Sequence, residues 1–255
     1  MIEHSYHEVP PAPDLASHVR CIWLRRIGQA EAAGPVRVLP DGCMDLIWED
    51  DGQSGGLFVA GPDTTAQDSR MPAGSQFVGL RFQPGAAPVI LGVPASEMLD
   101  ARPDAVALWG RAAAELTRRI EDAGSPSAAA ATLEDEARRR LADAPPLDPA
   151  VQHDVAALER GARRGPALVG RVAHGLGIGE RQLHRRCRAA LGYGPRMFAG
   201  IVRFQRFLAL AGGPYPHGLA RLAAESGYAD QPHLTREVRR LSGLTPGALL
   251  AGLAG

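Results

Sequence analysis

The feature that most constrains the fold is a repeat near the C-terminal end. Leu168 to Pro195 reads LVGRVAHGLGIGERQLHRRCRAALGYGP, and Leu219 to Pro246 reads LARLAAESGYADQPHLTREVRRLSGLTP. Val172, Ala173 and Gly177 precede Leu222, Ala223 and Gly227 by 50 residues, while Leu183, Cys187, Gly192 and Pro195 precede Leu234, Val238, Gly243 and Pro246 by 51. The one extra residue falls between the two conserved halves of the pattern, in a turn, where insertions cost least. Each copy predicts helix, tight turn, helix. Gly227 can take the left-handed conformation that ends a helix, Asp230 can cap the next one, and Pro232 falls in a first turn where its missing N–H is harmless.

In the second copy Leu234, Val238 and Leu241 recur at i, i+4 and i+7 and define one buried stripe. The opposite face carries Gln231, Pro232, Thr235, Arg236, Arg239 and Arg240. In the first copy Leu183 and Cys187 face inward, leaving Arg181, His184, Arg185 and Arg188 outside. A short helix pinned on one side, with amide and guanidinium groups on the other, suits the DNA major groove. Base reading is expected from Arg181, His184, Arg185, Gln231, Thr235 and Arg236. Arg can give two parallel donors to guanine, and Gln can pair with adenine. Arg188, Arg239 and Arg240 are expected on phosphates. His233 is expected to turn partly inward as a structural residue.

GERQLHRRCRAALGYGPRMF and GYADQPHLTREVRRLSGLTP resemble the tandem helix-turn-helix domain of AraC/XylS-type transcriptional regulators. The second matches well: an aromatic after glycine, Asp-Gln, His-Leu-x-Arg, then Gly-x-Thr-Pro. The first departs at Gly179, where the family often has a capping serine, and at Cys187, where it usually has a buried aromatic. The resemblance covers roughly the last hundred residues, a normal domain size. Arg196 to Ala211, with Phe198, Ile201, Phe204 and Phe207, is too apolar for a free helix. It reads as the spine that sets two recognition helices into successive major grooves, about 34 Å apart, or that requires bent DNA.

The chain has 255 residues, enough for two domains with real cores. Its net charge is zero, and every one of its 28 basic residues is arginine. Residues 1–145 hold 13 Arg against 21 Asp and Glu, a net −8; residues 146–255 hold 15 against 7, a net +8. Such a split fits one half meeting a polyanion. The expected division is therefore an N-terminal sensor or dimerisation domain (1–145) and a DNA-binding domain (146–255). APPLDP (144–149) forms the linker, and Asp148 caps the next helix.

The fold class expected is α+β. The N-terminal half opens with a small β-barrel-like or half-barrel region (1–92): His18 to Ile27, Val36 to Trp48 folded around Pro40-Asp41-Gly42, Leu57 to Ala60, and Gln76 to Phe82. A helical region (94–143) follows: Ala95 to Leu99, Pro103 to Asp122 and Thr132 to Ala142, with a break over AGSPSAAAA (123–131). These helices either mediate dimerisation or pack on their own sheet, since amphipathicity does not separate the two. RVLPDGCMDLIW, GLFVAGP and VGLRFQPGAAPVILGVPASEM resemble an uncharacterised N-terminal domain recurring in AraC-type regulators, which commonly carry a cupin-like sensor there. Trp23, Trp48, Phe58, Phe77 and Phe82 could line an apolar ligand cavity, with Arg81 for an anionic group. The competing reading is a filled core.

Other chemistry finds little support. The cysteines Cys21, Cys43 and Cys187 lack metal-type spacing and read as reduced thiols of a cytoplasmic protein. No apolar run approaches a membrane span, and the polar start MIEHSYHEVPP is not a signal peptide. His4 and His7 lack a third ligand. Asp41, Cys43 and Asp45 read as a hairpin whose carboxylates bond to backbone rather than as a metal site. There is no phosphate-cradling glycine loop, HExxH or Gly-x-Ser-x-Gly, and no base is nominated for Cys43. No catalytic residue, metal or cofactor is expected. The partners implied are a double-stranded DNA operator, a small-molecule effector, a second copy of the chain and, for an activator, RNA polymerase. The alternatives are a small-molecule-sequestering protein with only non-specific DNA affinity, and an enzyme with a regulatory fusion.

Overall fold

A computed structural model describes residues 5–28, 35–53, 55–162, 167–212 and 218–253. The N-terminal half is built on a five-stranded antiparallel sheet in the order β1-β2-β7-β4-β5. Its strands are β1 (Ser5–Val9), β2 (Val19–Arg26), β4 (Asp45–Asp50), β5 (Gly55–Ala60) and β7 (Gln76–Phe82). A separate two-stranded ribbon pairs β3 (Val36–Val38) with β6 (Gln67–Ser69). Among the described residues the strands do not close into a barrel. Nor do Val36 to Trp48 form a hairpin: β3 and β4 join different sheets, and the Asp41 carboxylate turns the chain between them by accepting the Cys43 N–H at 2.8 Å.

Alternation along the strands gives the large sheet two unlike faces. Ile22, Leu46, Trp48, Leu57, Val59, Val78, Leu80 and Phe82 point to one side and join a core with the helices. Cys21, Trp23, Ile47 and Phe77 point to the other, with Phe58 and Ala60 packed against them. Gly79 is required on that second face. A Cβ there would lie 2.0 Å from the Trp23 ring, so only glycine lets the indole cross β7.

Four helices cover the first face: α1 (Ala87–Leu91), α2 (Ala105–Trp109), α3 (Arg111–Glu121) and α4 (Pro126–Asp143). The single helix expected over Pro103 to Asp122 is two, because Gly110 breaks it at φ +54°. The break expected over 123–131 is shorter. Ser125 Oγ accepts the Ala128 N–H, and the alanines beyond, good helix formers, extend α4 back to Pro126. Residues 95–97 form one 3-10 turn. Ala113, Leu116, Ile120, Ala129, Leu133 and Ala137 belong to the sheet's own core, so the amphipathic pattern of α3 and α4 reports an interior.

The C-terminal half is all helical: α5 (Pro149–Gly161), α6 (Leu168–Gly175), α7 (Glu180–Leu191), α8 (Pro195–Ala211), α9 (Leu219–Ser226), α10 (Gln231–Ser242) and α11 (Pro246–Leu253). Asp148 caps α5 by accepting the Ala150 N–H at 2.8 Å. α8 is the spine, with Phe198, Ile201, Phe204 and Phe207 essentially inaccessible. No described helix is long and apolar enough to cross a membrane.

The halves touch along a continuous seam. Gln205 Nε2 donates to Pro40 O at 2.7 Å, and Phe198 packs against Gly42. At Gly192, after α7, the backbone runs so close to Pro62 and Ala95 that a Cβ would meet Pro62 Cγ at 2.5 Å. The ribbon reaches the end of α10: Ala66 N–H donates to Leu241 O at 2.7 Å, and Arg37 Nη1 to Ser242 O at 3.2 Å.

Candidate nucleic-acid interface

α10 is fixed at its start by Asp230, whose Oδ1 accepts the His233 N–H at 2.7 Å, and along its underside by Leu234, Val238 and Leu241, all fully buried. Gln231, Pro232, Arg236 and Arg239 are exposed on the opposite side. Thr235 is half-buried and spends its hydroxyl proton on Gln231 O at 3.0 Å, so its oxygen remains as an acceptor. His233 turns inward, its ring edge-on to Tyr228 at 5.3 Å. Arg240 turns back along the helix, bonding Glu237 at 3.0 and 3.2 Å and lying against Met197 Sδ.

α7 repeats the plan with weaker fixings. Gly179 stands at its N-cap with no side-chain acceptor, while Leu183, Cys187, Ala190 and Leu191 are buried. Arg181, His184, Arg185 and Arg188 are exposed. The His184 ring lies over Gly194, whose Cβ would come within 2.6 Å of Nε2, so its reach is limited. Arg185 and Arg188 stand 51 residues before Arg236 and Arg239, at the same positions of the paired helices. Among the described residues no ion pair engages Arg181, Arg185, Arg188, Arg236 or Arg239. Arg186 does something else: its Nη1 reaches the buried Asp154 of α5 at 3.3 Å and ties α7 to the domain core. The sequence reading missed that tie, though a carboxylate on the apolar side of α5 was its signal.

Residues 172–252 match a family described as a helix-turn-helix domain, across both copies. The C-terminal half carries an AraC-type helix-turn-helix domain. Ahead of that AraC-type domain, residues 7–104 match a domain of unknown function (DUF6597). No curated protein matches the chain significantly. Among solved structures it is similar to ToxT from Vibrio cholerae O395, at 11% identity and a TM-score of 0.46, covering 94% of this chain and 99% of that one. A ToxT from Vibrio cholerae strain SCE256, solved with an unsaturated fatty acid bound, gives 9% identity and a TM-score of 0.44, covering 98% and 97%. Both likenesses are too loose to place a side chain.

The N-terminal half holds a second candidate site. Between the second face of the large sheet and the β3–β6 ribbon lies a partly open cavity of about 660 Å³. Trp23, Phe58, Phe77 and Arg81 line it together, as does Tyr6. Trp48 and Phe82 do not: each sits one residue out of phase, in the helix-side core. Sequence reasoning took Asp41, Cys43 and Asp45 for a turn; they also line this cavity. A carboxylate inside strand β4, on the same face as Ile47, was the available signal.

Asp45 is the centre of its polar end. It accepts the Trp23 Nε1–H at 2.7 Å and the Arg81 Nε–H at 3.1 Å. Burial pushes its carboxyl up to about 6, against the pull of Arg81 and with the added push of Asp41. Burial likewise raises the Cys43 thiol, and raises Cys21 to about 11, so both stay protonated and unreactive. Among the described residues no three His, Cys, Asp or Glu side chains are placed to hold a metal; His4 lies outside them.

Proposed function

We propose that the chain is a sequence-specific transcriptional regulator whose residues 146–255 read DNA and whose residues 1–145 control that reading in response to a small molecule. One observation carries the DNA part. In both copies a recognition helix buries one face completely and holds guanidinium groups with no ion pair on the other. Arg185 and Arg236, with Gln231 and Arg181, are the proposed base readers; His184 and Thr235 are secondary contacts, because packing and an internal hydrogen bond restrict them. Arg188 and Arg239 take phosphates. Arg240, already neutralised by Glu237, contributes least.

The control part is supported by the aromatic cavity and by the ribbon that forms one of its walls. Arg37 lines the cavity and bonds the last turn of α10. An occupant that favours one ribbon position therefore biases the second reader.

Selection of binding sites from random DNA by the full chain, at physiological salt, tests the reading. Two half-motifs separated by about one helical turn are expected. Arg185→Ala should relax one half and Arg236→Ala the other, each by about 1–3 kcal/mol. Arg239→Ala should weaken all sequences alike and reduce the salt slope by about one. The cavity also favours a second reading, a ligand-sequestering protein. That one predicts no enriched motif and binding that fades steeply with salt.

A further inference from the structure

The cavity's polar end is short of positive charge and of donors. Arg81 is a half-buried guanidinium there, and three carboxylates crowd it: Asp45 at 3.1 Å, Glu8 at 3.4 Å and Asp41 at 3.5 Å. Arg102 is spent on Asp63 Oδ2 at 2.6 Å, and Arg37 is held by both oxygens of Asp68. Asp63, nine-tenths buried at the same end, has no donor for its Oδ1 among the described residues. An anion placed here would meet Asp41 and Asp45 before finding an uncommitted cation. Arg25, farther out on β2 and paired across the sheet with Tyr6 and Phe77, is the one lining guanidinium with no ion pair among the described residues.

The remaining walls mix aliphatic side chains such as Ile47 and Met71 with four aromatic ones: Tyr6 and Trp23, tilted with centroids 6.1 Å apart, then Phe58 and Phe77. Aromatic faces beside carboxylates attract cations through the ring quadrupole as well as the charge. A volume of about 660 Å³ falls in the range of ordinary small-molecule sites. We infer that the cavity takes an organic cation, an amine on an aromatic or branched apolar body, with its ammonium against Asp41 and Asp45 and its body between Trp23, Phe58 and Phe77. This rests on the reading of the cavity as the effector site.

Three probes with one body separate the class from the site: 2-(2-naphthyl)ethylamine, the corresponding alcohol, and 2-naphthylacetic acid, titrated calorimetrically into the full chain. The amine should bind about tenfold more tightly than the alcohol, and the acid most weakly. Asp41→Asn keeps the oxygen that accepts the Cys43 N–H, so the turn survives; it should cut amine affinity about tenfold and alcohol affinity far less. Equal binding of amine and alcohol would overturn the cation assignment while leaving a working ligand site. Tightest binding by the acid, abolished by Arg25→Ala, would overturn it in favour of an anion seated at the mouth. No binding by any of the three would overturn the assignment and the effector reading together.

Discussion

Gly192 and Gly243 are the same residue in the two copies of the repeat, and they separate a local cost from a contact across the seam. Each follows a recognition helix in the left-handed region, at φ +84° and +73°, and each donates its N–H to the carbonyl four residues back. Alanine in that conformation costs about 1–2 kcal/mol at either position. Their surroundings differ. At Gly243 the nearest atom to a new Cβ is Arg37 Nη1 at 3.5 Å, an ordinary contact at the end of a flexible side chain. At Gly192 the Cβ would meet Pro62 Cγ at 2.5 Å and the Ala95 carbonyl oxygen at 3.1 Å, both in the N-terminal half. Relief there requires the seam to open by roughly an ångström, and overpacking of this kind costs about 1–3 kcal/mol more. Urea denaturation of the full chain should therefore find Gly243→Ala destabilised by about 1–2 kcal/mol and Gly192→Ala by about 2–5 kcal/mol. Pro62→Ala removes the nearest atom and should restore part of the difference in the double variant. Equal losses for the two glycine variants, within about 0.5 kcal/mol, would refute the close packing of the halves at α7.

The caps give a paired test: Asp230→Ala should cost about 1 kcal/mol, whereas Gly179→Ser, with open space around the new side chain, should add a few tenths, both read from thermal or urea midpoints. Asp45 is raised to about 6 in the folded chain against roughly 3.9 when unfolded, so its favourable contribution is complete below about pH 4 and lost as pH rises through 6. Relative to Asp45→Asn, the wild type should lose stability between pH 4.5 and 7; a constant difference would mean that Arg81 outweighs burial. Arg37→Ala removes an exposed ion pair and one bond to a helix end. It should cost at most about 1 kcal/mol while speeding amide exchange at the end of α10, measured by mass spectrometry.

The repeat made the C-terminal half legible in its helices and turns, because apolar stripe and terminal glycine coincide in each copy. Asp230 caps and Gly179 does not, as their side chains dictate. The N-terminal half was legible as strands, but not as an arrangement of them. A period of two divides Trp23 from Trp48 without saying which face the helices will cover, and one residue of phase moved Trp48 out of the cavity. β3 and β4, adjacent in sequence, part company because β3 pairs with the later β6, while β4 pairs with its other neighbour β5 and with β7. Gly110 divides the helix expected over Pro103 to Asp122 through a positive φ, which an apolar period of 3.6 does not register. The carboxylates around Arg81 were visible as letters, but their convergence is a tertiary fact.

The seam gives the N-terminal half a grip on both recognition helices at once, α7 through Gly192 and α10 through Leu241 and Ser242. On the proposed function, that half would serve as one jaw of a calliper whose other jaw is α8. A small change in the shape of that jaw would alter the phase between the two helices rather than the grip of either one. DNA turns by about one full revolution every 10–10.5 base pairs, so a change of phase is read as a different preferred spacing between half-sites. On the proposed function, an effector that reshapes the N-terminal half would therefore change which operators are favoured while total affinity for DNA stays nearly constant.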